Sequence, residues 1–298
     1  MKNTRYSAPP REPLEQRIRE VRDLPTLPAV VVRTMELLNA PDSTLREVGE
    51  MVATDQVLSA RTLRLVNAPY FGLSRRLHSV MEAAVYLGRS GMRNLVVSSS
   101  ILQSFAGSSR SAPPVQFWEH AFASAIFARL IASRASQGQV EDAYLAGLLH
   151  DLGRLVLRHH FPSEIAEVEA AARVSGVPVS VAEEQAWQTT HAEVGCWLGQ
   201  TWHLPAPVVE AVRMHHRPAD APPELRTLCA AVHLGDELAF EQGFGDEETF
   251  DAEHRGLELG TQVLFQDEVL LASPDTLREM VAEEAHGVRL LVEMVYGT

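Results

Sequence analysis

Apolar residues along this chain recur at spacings of three and four, and no stretch sustains the period-two alternation of a half-buried strand. The pattern predicts an all-α protein. Residues 24–72, "LPTLPAVVVRTMELLNAPDSTLREVGEMVATDQVLSARTLRLVNAPYFG", divide into three short helices. Pro28 opens the first, Asn39 to Asp42 ends it, Ser43-Thr44-Leu45-Arg46-Glu47 caps the second, and Asn67-Ala68-Pro69 ends the third. Further helix is expected over 79–104. Residues 106–114, "AGSSRSAPP", read as a linker. Beyond it the periodicity predicts helices over 116–134, 142–158, 162–175, 179–187, 191–202, 206–216 and 223–241. A Gly-containing polar break at 242–256 precedes a last helix that starts at the Ser273-Pro274-Asp275 cap. The expected organisation is a flexible N-terminus (1–15), a first helical lobe (16–105), the linker (106–114), a second lobe (115–241) and a helical tail (242–298). No repeat of fixed period is present.

One segment breaks the amphipathic rule. In "AYLAGLLHDLGRLVLRHH", 143–160, the leucines share one side, but the other carries Ala143, Ala146, Gly147 and His150 in place of Lys and Glu. Small residues opposite an apolar stripe mean close packing on both faces, so His150 and Asp151 are expected to be buried. Two more ionisable residues share that expectation. His120 lies in "QFWEHAFASAIFARL", which has no charge between Glu119 and Arg129, and Asp236 shares a helix face with Cys229 and Val232.

A further set is assembled by geometry. In "TTHAEVGCWLGQTWHLPAPVVEAVRMHHRP", 189–218, Thr190 and Glu193 form a capping-box pattern that places His191 in a first turn. The next helix is stopped by Pro218 with His215 and His216 in its last turn. If the short "HLPAP" turn makes the two helices an antiparallel hairpin, His191 meets His215 or His216. One buried histidine is ordinarily a satisfied core residue. Several on consecutive helices, with two carboxylates, also fit a metal site, where imidazole nitrogen and carboxylate oxygen serve as ligands and the cost of burying charge is removed.

Composition narrows the classes. At 298 residues and 46% hydrophobic the chain can bury a large core. It has no secretory h-region and no apolar run of about 18 residues, so a cytoplasmic protein without membrane attachment is expected. Cys196 and Cys229 fit core positions, as do the four tryptophans. His159, His160, His254 and His286 fit surfaces or helix ends. The net charge of −13 argues against general nucleic-acid binding, yet residues 1–110 carry 15 basic and 10 acidic side chains and the remainder 11 and 29. Arg61, Arg64, Arg75, Arg76, Arg89 and Arg93 could therefore meet an anionic partner. No Walker A, GxGxxG, paired CxxC or GxSxG motif occurs.

Two resemblances cover about residues 20–240. "LPTLPAV", "DQVLSARTLRLVNAPYFG", "LHSVMEAAVYLGRSGMRNLV", "LAGLLHDLG" and "WHLPAPVVEAVRMHHRP" resemble the HDOD family, the HD-related output domain of bacterial signalling proteins. The order His120, His150-Asp151, His191, His215-His216, Asp236 is similar to the metal-ligand set of the HD phosphohydrolase superfamily, including its HD-GYP branch. The resemblance implies two packed helical lobes, the second HD-like, and a regulatory role. It implies one or two divalent ions from among Fe, Mn, Mg and Zn, held by those seven residues. The sequence departs from active HD-GYP enzymes in three places: Arg154 stands where a Lys commonly follows the glycine, "HHRPADAPP" lacks Gly-Tyr-Pro, and Gln116 replaces a glutamate one turn before His120.

Two functions follow. In the first, the protein binds signalling proteins in trans through its first lobe, with Arg61 and Arg64 as contacts, and the second lobe holds a metal or a nucleotide or cyclic-dinucleotide ligand. In the second, it is a metal-dependent phosphohydrolase (a phosphodiesterase or nucleotidase) in which Arg154 contacts phosphate.

Overall fold

The computed structural model of the chain describes residues 14–19, 26–106, 113–135, 138–245, 260 and 273–296. Among them every regular element is helical, as the periodicity predicts. In the first lobe α1 (Leu14–Arg19) precedes α2 (Ala29–Asn39), α3 (Leu45–Ala53), α4 (Gln56–Val66), a 3-10 turn (Pro69–Phe71) and α5 (Val80–Ala106). The second lobe holds α6 (Val115–Ala135), α7 (Val140–Leu149), α8 (Leu152–His160), α9 (Pro162–Ser175), α10 (Val179–Trp187), α11 (His191–Thr201), α12 (Ala206–Met214) and α13 (Arg226–Glu241). A final helix, α14 (Pro274–Tyr296), lies against α6, α4 and the 3-10 turn. The expected linker and break fall largely outside the described residues.

The punctuation read from sequence is realised in hydrogen bonds. Thr44 and Glu47 form a reciprocal capping box at α3, and Ser273 Oγ accepts from the Thr276 amide at α14. Asp55, which was not anticipated as a cap, accepts from the amides of Val57 and Leu58 at α4. Helix α5 is kinked at Gly88, whose φ of 68° and ψ of −170° need a residue without a Cβ. The next residue, Arg89, donates to the carbonyls of Leu37, Leu38, Ala40 and Ser43, satisfying the C-terminal end of α2 and the turn after it.

One apolar core runs through both lobes, from Val31 and Val48 through Phe122, Phe127 and Leu145 to Val288 and Val292. The same cluster takes in residues of both lobes and of α14. Across the seam Arg93 pairs with Asp142 at 2.7 Å, and Asn94 Nδ2 donates to the Glu141 carbonyl at 2.8 Å.

Candidate metal centre

The expected helix over 142–158 is two helices. α7 ends at Leu149 and α8 begins at Leu152, with His150 and Asp151 in the turn between them. The break is enforced by packing. A Cβ on Gly147 would lie 2.8 Å from the Ser124 carbonyl oxygen of α6, and one on Gly153 would lie 2.0 Å from that of His191 on α11. The two glycines press the segment against different helices, and the turn reconciles the two directions. Similarly, α12 ends at Met214 rather than at residue 216, so His215 and His216 stand in the turn after it.

The hairpin of α11 and α12 brings His216 Nε2 to 2.9 Å from His191 Nε2. From the other side, His120 Nε2 on α6 lies 3.3 Å from His150 Nε2 and 3.0 Å from Asp236 Oδ1 on α13. Asp151 joins the halves, with Oδ1 at 3.3 Å from His191 Nε2 and Oδ2 at 3.7 Å from His150 Nε2. All seven residues singled out in the sequence therefore converge. Six are buried, with His191 and His215 at 0% exposure, and His216 is half-buried.

The outward ring nitrogens are tied down. His150 Nδ1 meets the Gly147 carbonyl at 2.7 Å, His215 Nδ1 that of Val212 at 2.6 Å, and His120 Nδ1 that of Phe244 at 3.3 Å. His191 Nδ1 meets the Glu183 carboxylate at 2.7 Å. Because each partner only accepts, Nδ1 carries a proton in every case, and each ring presents its Nε2 lone pair inward once that nitrogen is deprotonated. Lone pairs facing one another at these distances repel unless a proton or cation lies between them, and His215 Nε2 is buried with no hydrogen-bond partner. Ligand atoms around an ion with bonds near 2 Å are about 3.3 Å apart in tetrahedral geometry. The candidate donor atoms of His191, His215 and His216, of His120, His150 and Asp151, and of His150, His215 and Asp236 each lie within 4.8 Å of one another. The donor set fits a divalent cation.

Without an ion, a proton takes that place on His150. Burial pulls the His150 pKa down, but Asp151 and Asp236 outweigh it and hold it at about 9. Burial and the charged rings beside it drop His215 to about 3. Burial opposes ionisation of Asp151, yet Arg154, His150 and His191 hold its carboxyl well below the usual range. Arg154 is itself buried and donates to Asp151 Oδ2 at 3.1 Å. The cysteines belong to the core: burial pushes Cys196 up to about 11 and Cys229 up to about 12.

Glu183 on α10 was missed. It is fully buried and also accepts from the His191 amide at 2.9 Å, so it fixes both the ring and the start of α11. Its phase, one turn after buried Val179, was the available signal, but adjacent Glu184 masked it.

Among the described residues, fourteen α-helices around a buried histidine-aspartate cluster define an HD-type helical protein. The HDOD domain profile matches residues 24–218, and the chain belongs to that family. It is 30% identical over 216 residues to a Treponema pallidum (strain Nichols) protein described as uncharacterized, covering 71% of this chain and 41% of that one. The chain thus spans about two fifths of that relative's length. The crystal structure of an HDOD domain protein from Geobacter sulfurreducens has a TM-score of 0.75 at 27% identity, covering 94% of this chain and 95% of that one. A candidate phosphohydrolase from Shewanella amazonensis shares the fold at TM-score 0.74 and 24% identity, covering 95% and 97%.

Proposed function

We propose that this HDOD protein is a regulatory module of bacterial signal transduction that binds other signalling proteins in trans, with a divalent ion held in its HD-like lobe. His120, His150, Asp151, His191, His215, His216 and Asp236 would hold one or two ions, with Glu183 orienting His191. The observation that carries the regulatory reading is the closure of the cluster. Asp151, between its halves, is 6% exposed and bonded to buried Arg154, so a phosphate would have to displace that pair to reach it.

The partner surface is on the first lobe. A groove of about 870 Å³ has an apolar floor that includes Leu63, Leu77 and Met294, and Arg64, Arg75, Arg76 and His78 line it. Arg64 and Arg76 are exposed and have no ion-pair partner among the described residues. Arg61 is half-buried with Nη1 enclosed, so Arg64 is the stronger contact of the two arginines expected from sequence. An acidic, partly apolar surface on a partner fits this groove.

The phosphohydrolase reading keeps one specific support, the Arg154 guanidinium beside the cluster, whose planar fork matches phosphate. A divalent ion there would supply Lewis-acid activation of water. Metal analysis decides occupancy. Turnover of bis-p-nitrophenyl phosphate and a cyclic dinucleotide, compared with the His150→Ala, Asp151→Ala double variant, decides the function. The regulatory reading expects equal, background turnover in both proteins. Metal-dependent turnover abolished by the double substitution would establish the hydrolase instead.

A further inference from the structure

A cavity of about 280 Å³ lies in the seam between the lobes, and it shares no lining residue with the histidine cluster. Tyr70 and Phe71 of the 3-10 turn, Tyr86 and Asn94 of α5, Arg129 of α6 and Glu141 of α7 contribute to its wall. Four features define what it would take. Its volume falls just below the usual range of ligand pockets, about 300–1,000 Å³, so it admits one small ring system and not a whole dinucleotide. Its wall is aromatic: Tyr70 and Phe71 meet edge to face at 5.3 Å, and Tyr86 remains 58% exposed with no ring packed on it among the described residues.

The wall is also locally neutral, because the Arg129 guanidinium and Glu141 carboxylate pair at 2.8 Å. Finally, it offers one acceptor and one donor. Asn94 spends its Nδ2 on the Glu141 carbonyl at 2.8 Å and on Glu141 Oε2 at 2.9 Å, while its Oδ1 is buried with no donor. Arg129 Nη1 donates to the Tyr70 hydroxyl at 3.0 Å, which leaves the phenolic proton free for a ligand acceptor.

We propose that this seam cavity binds a neutral, flat nitrogen heterocycle that carries a hydrogen-bond donor and acceptor on one edge, as nucleobases do. The ring stacks on Tyr86, its N–H satisfies Asn94 Oδ1, and its acceptor takes the Tyr70 proton. Any sugar or phosphate extends into solvent. The ligand touches both lobes, and Glu141 is on the first turn of α7, the helix that leads directly into His150. The site goes beyond the regulatory reading and does not require the metal.

Isothermal titration of the full chain with adenosine, guanosine, uridine and their 5′-monophosphates tests it, with indole as a flat ring that has a donor and no acceptor. At least one nucleoside should bind saturably at 1:1. Tyr86→Ala, at an exposed position, should weaken that binding roughly tenfold, with Tyr86→Phe restoring it. Excess EDTA should leave that binding unchanged. Nucleoside and monophosphate should bind equally, because the phosphate extends into solvent, and a monophosphate that binds at least about tenfold more tightly would overturn that placement. No saturable binding below about 1 mM would overturn the proposal. So would indole binding as tightly as the nucleosides, an unaffected Tyr86→Ala variant, or binding lost in EDTA.

Discussion

Gly153→Ala should uncouple the halves of the histidine cluster without removing a single ligand. The added methyl would stand 2.0 Å from the His191 carbonyl oxygen and 2.8 Å from the Gly195 amide nitrogen, and real Cβ atoms essentially never approach within 3.0 Å. Both obstacles are backbone, so no side-chain rotation relieves them. Helix α8 must therefore withdraw from α11 by about an ångström, an overpacking change at the upper end of about 1–3 kcal/mol. At about 2–4 °C per kcal/mol, the thermal midpoint should fall by about 6–12 °C. The same withdrawal stretches the 3.3 Å separation of Asp151 Oδ1 and His191 Nε2 well past the spacing of ligands in tetrahedral geometry, about 3.3 Å. Divalent-ion affinity should drop at least about tenfold, as it does when an outer support of a metal ligand is lost. Calorimetric unfolding of the ion-free protein and competitive titration with a chromogenic chelator read the two effects separately. Gly287→Ala in α14, where nothing lies within 4 Å of the new Cβ, is the control and should be neutral or stabilising by about 0.5–1 kcal/mol. A Gly153→Ala protein with a wild-type midpoint and wild-type ion affinity would refute the packing argument.

Glu183→Gln removes the charge that orients His191 while keeping its shape, and should cost about 10–100-fold in divalent-ion affinity. An unchanged affinity in the chelator assay would exclude Glu183 from that role. His150 holds its proton to about pH 9 without an ion, whereas ligation needs the neutral ring, so apparent affinity should rise from pH 6 to 9 and loading at pH 7 should release protons. Titration in two buffers of different ionisation enthalpy measures that release, and buffer-independent heats would contradict it. The His150→Ala, Asp151→Ala pair should leave the purified protein with less metal than wild type by elemental analysis. Arg89→Met should destabilise the chain by about 3 kcal/mol in urea unfolding, because four carbonyls lose a charged donor.

The elements legible in the sequence were those with local punctuation. Pro28, Thr44, Thr190 and Ser273 mark starts that the structure places within one residue of expectation, since a cap is a local interaction between neighbours. The meeting of His191 with His216 was also readable, because a short turn between helices of similar length leaves few alternatives. The division at His150-Asp151 was not. It arises from the approach of α6 and α11 to Gly147 and Gly153, and unbroken apolar periodicity across 142–158 conceals it. Glu183 and the Phe244 carbonyl escaped for a related reason: one is a carboxylate among exposed glutamates, the other a main-chain oxygen with no side-chain signature.

Helix α14 follows, in chain order, every element that it clasps. Its buried face, with Leu277, Val281, Val288, Leu291 and Val292 at no more than 1% exposure, covers parts of α4 and α6 that are synthesised long before it. On the ribosome both lobes must therefore wait with an uncovered apolar strip until α14 emerges. That interval makes the growing chain a natural client for holding chaperones. It also means that premature termination before residue 274 would yield a sticky, degradation-prone fragment instead of a smaller working protein.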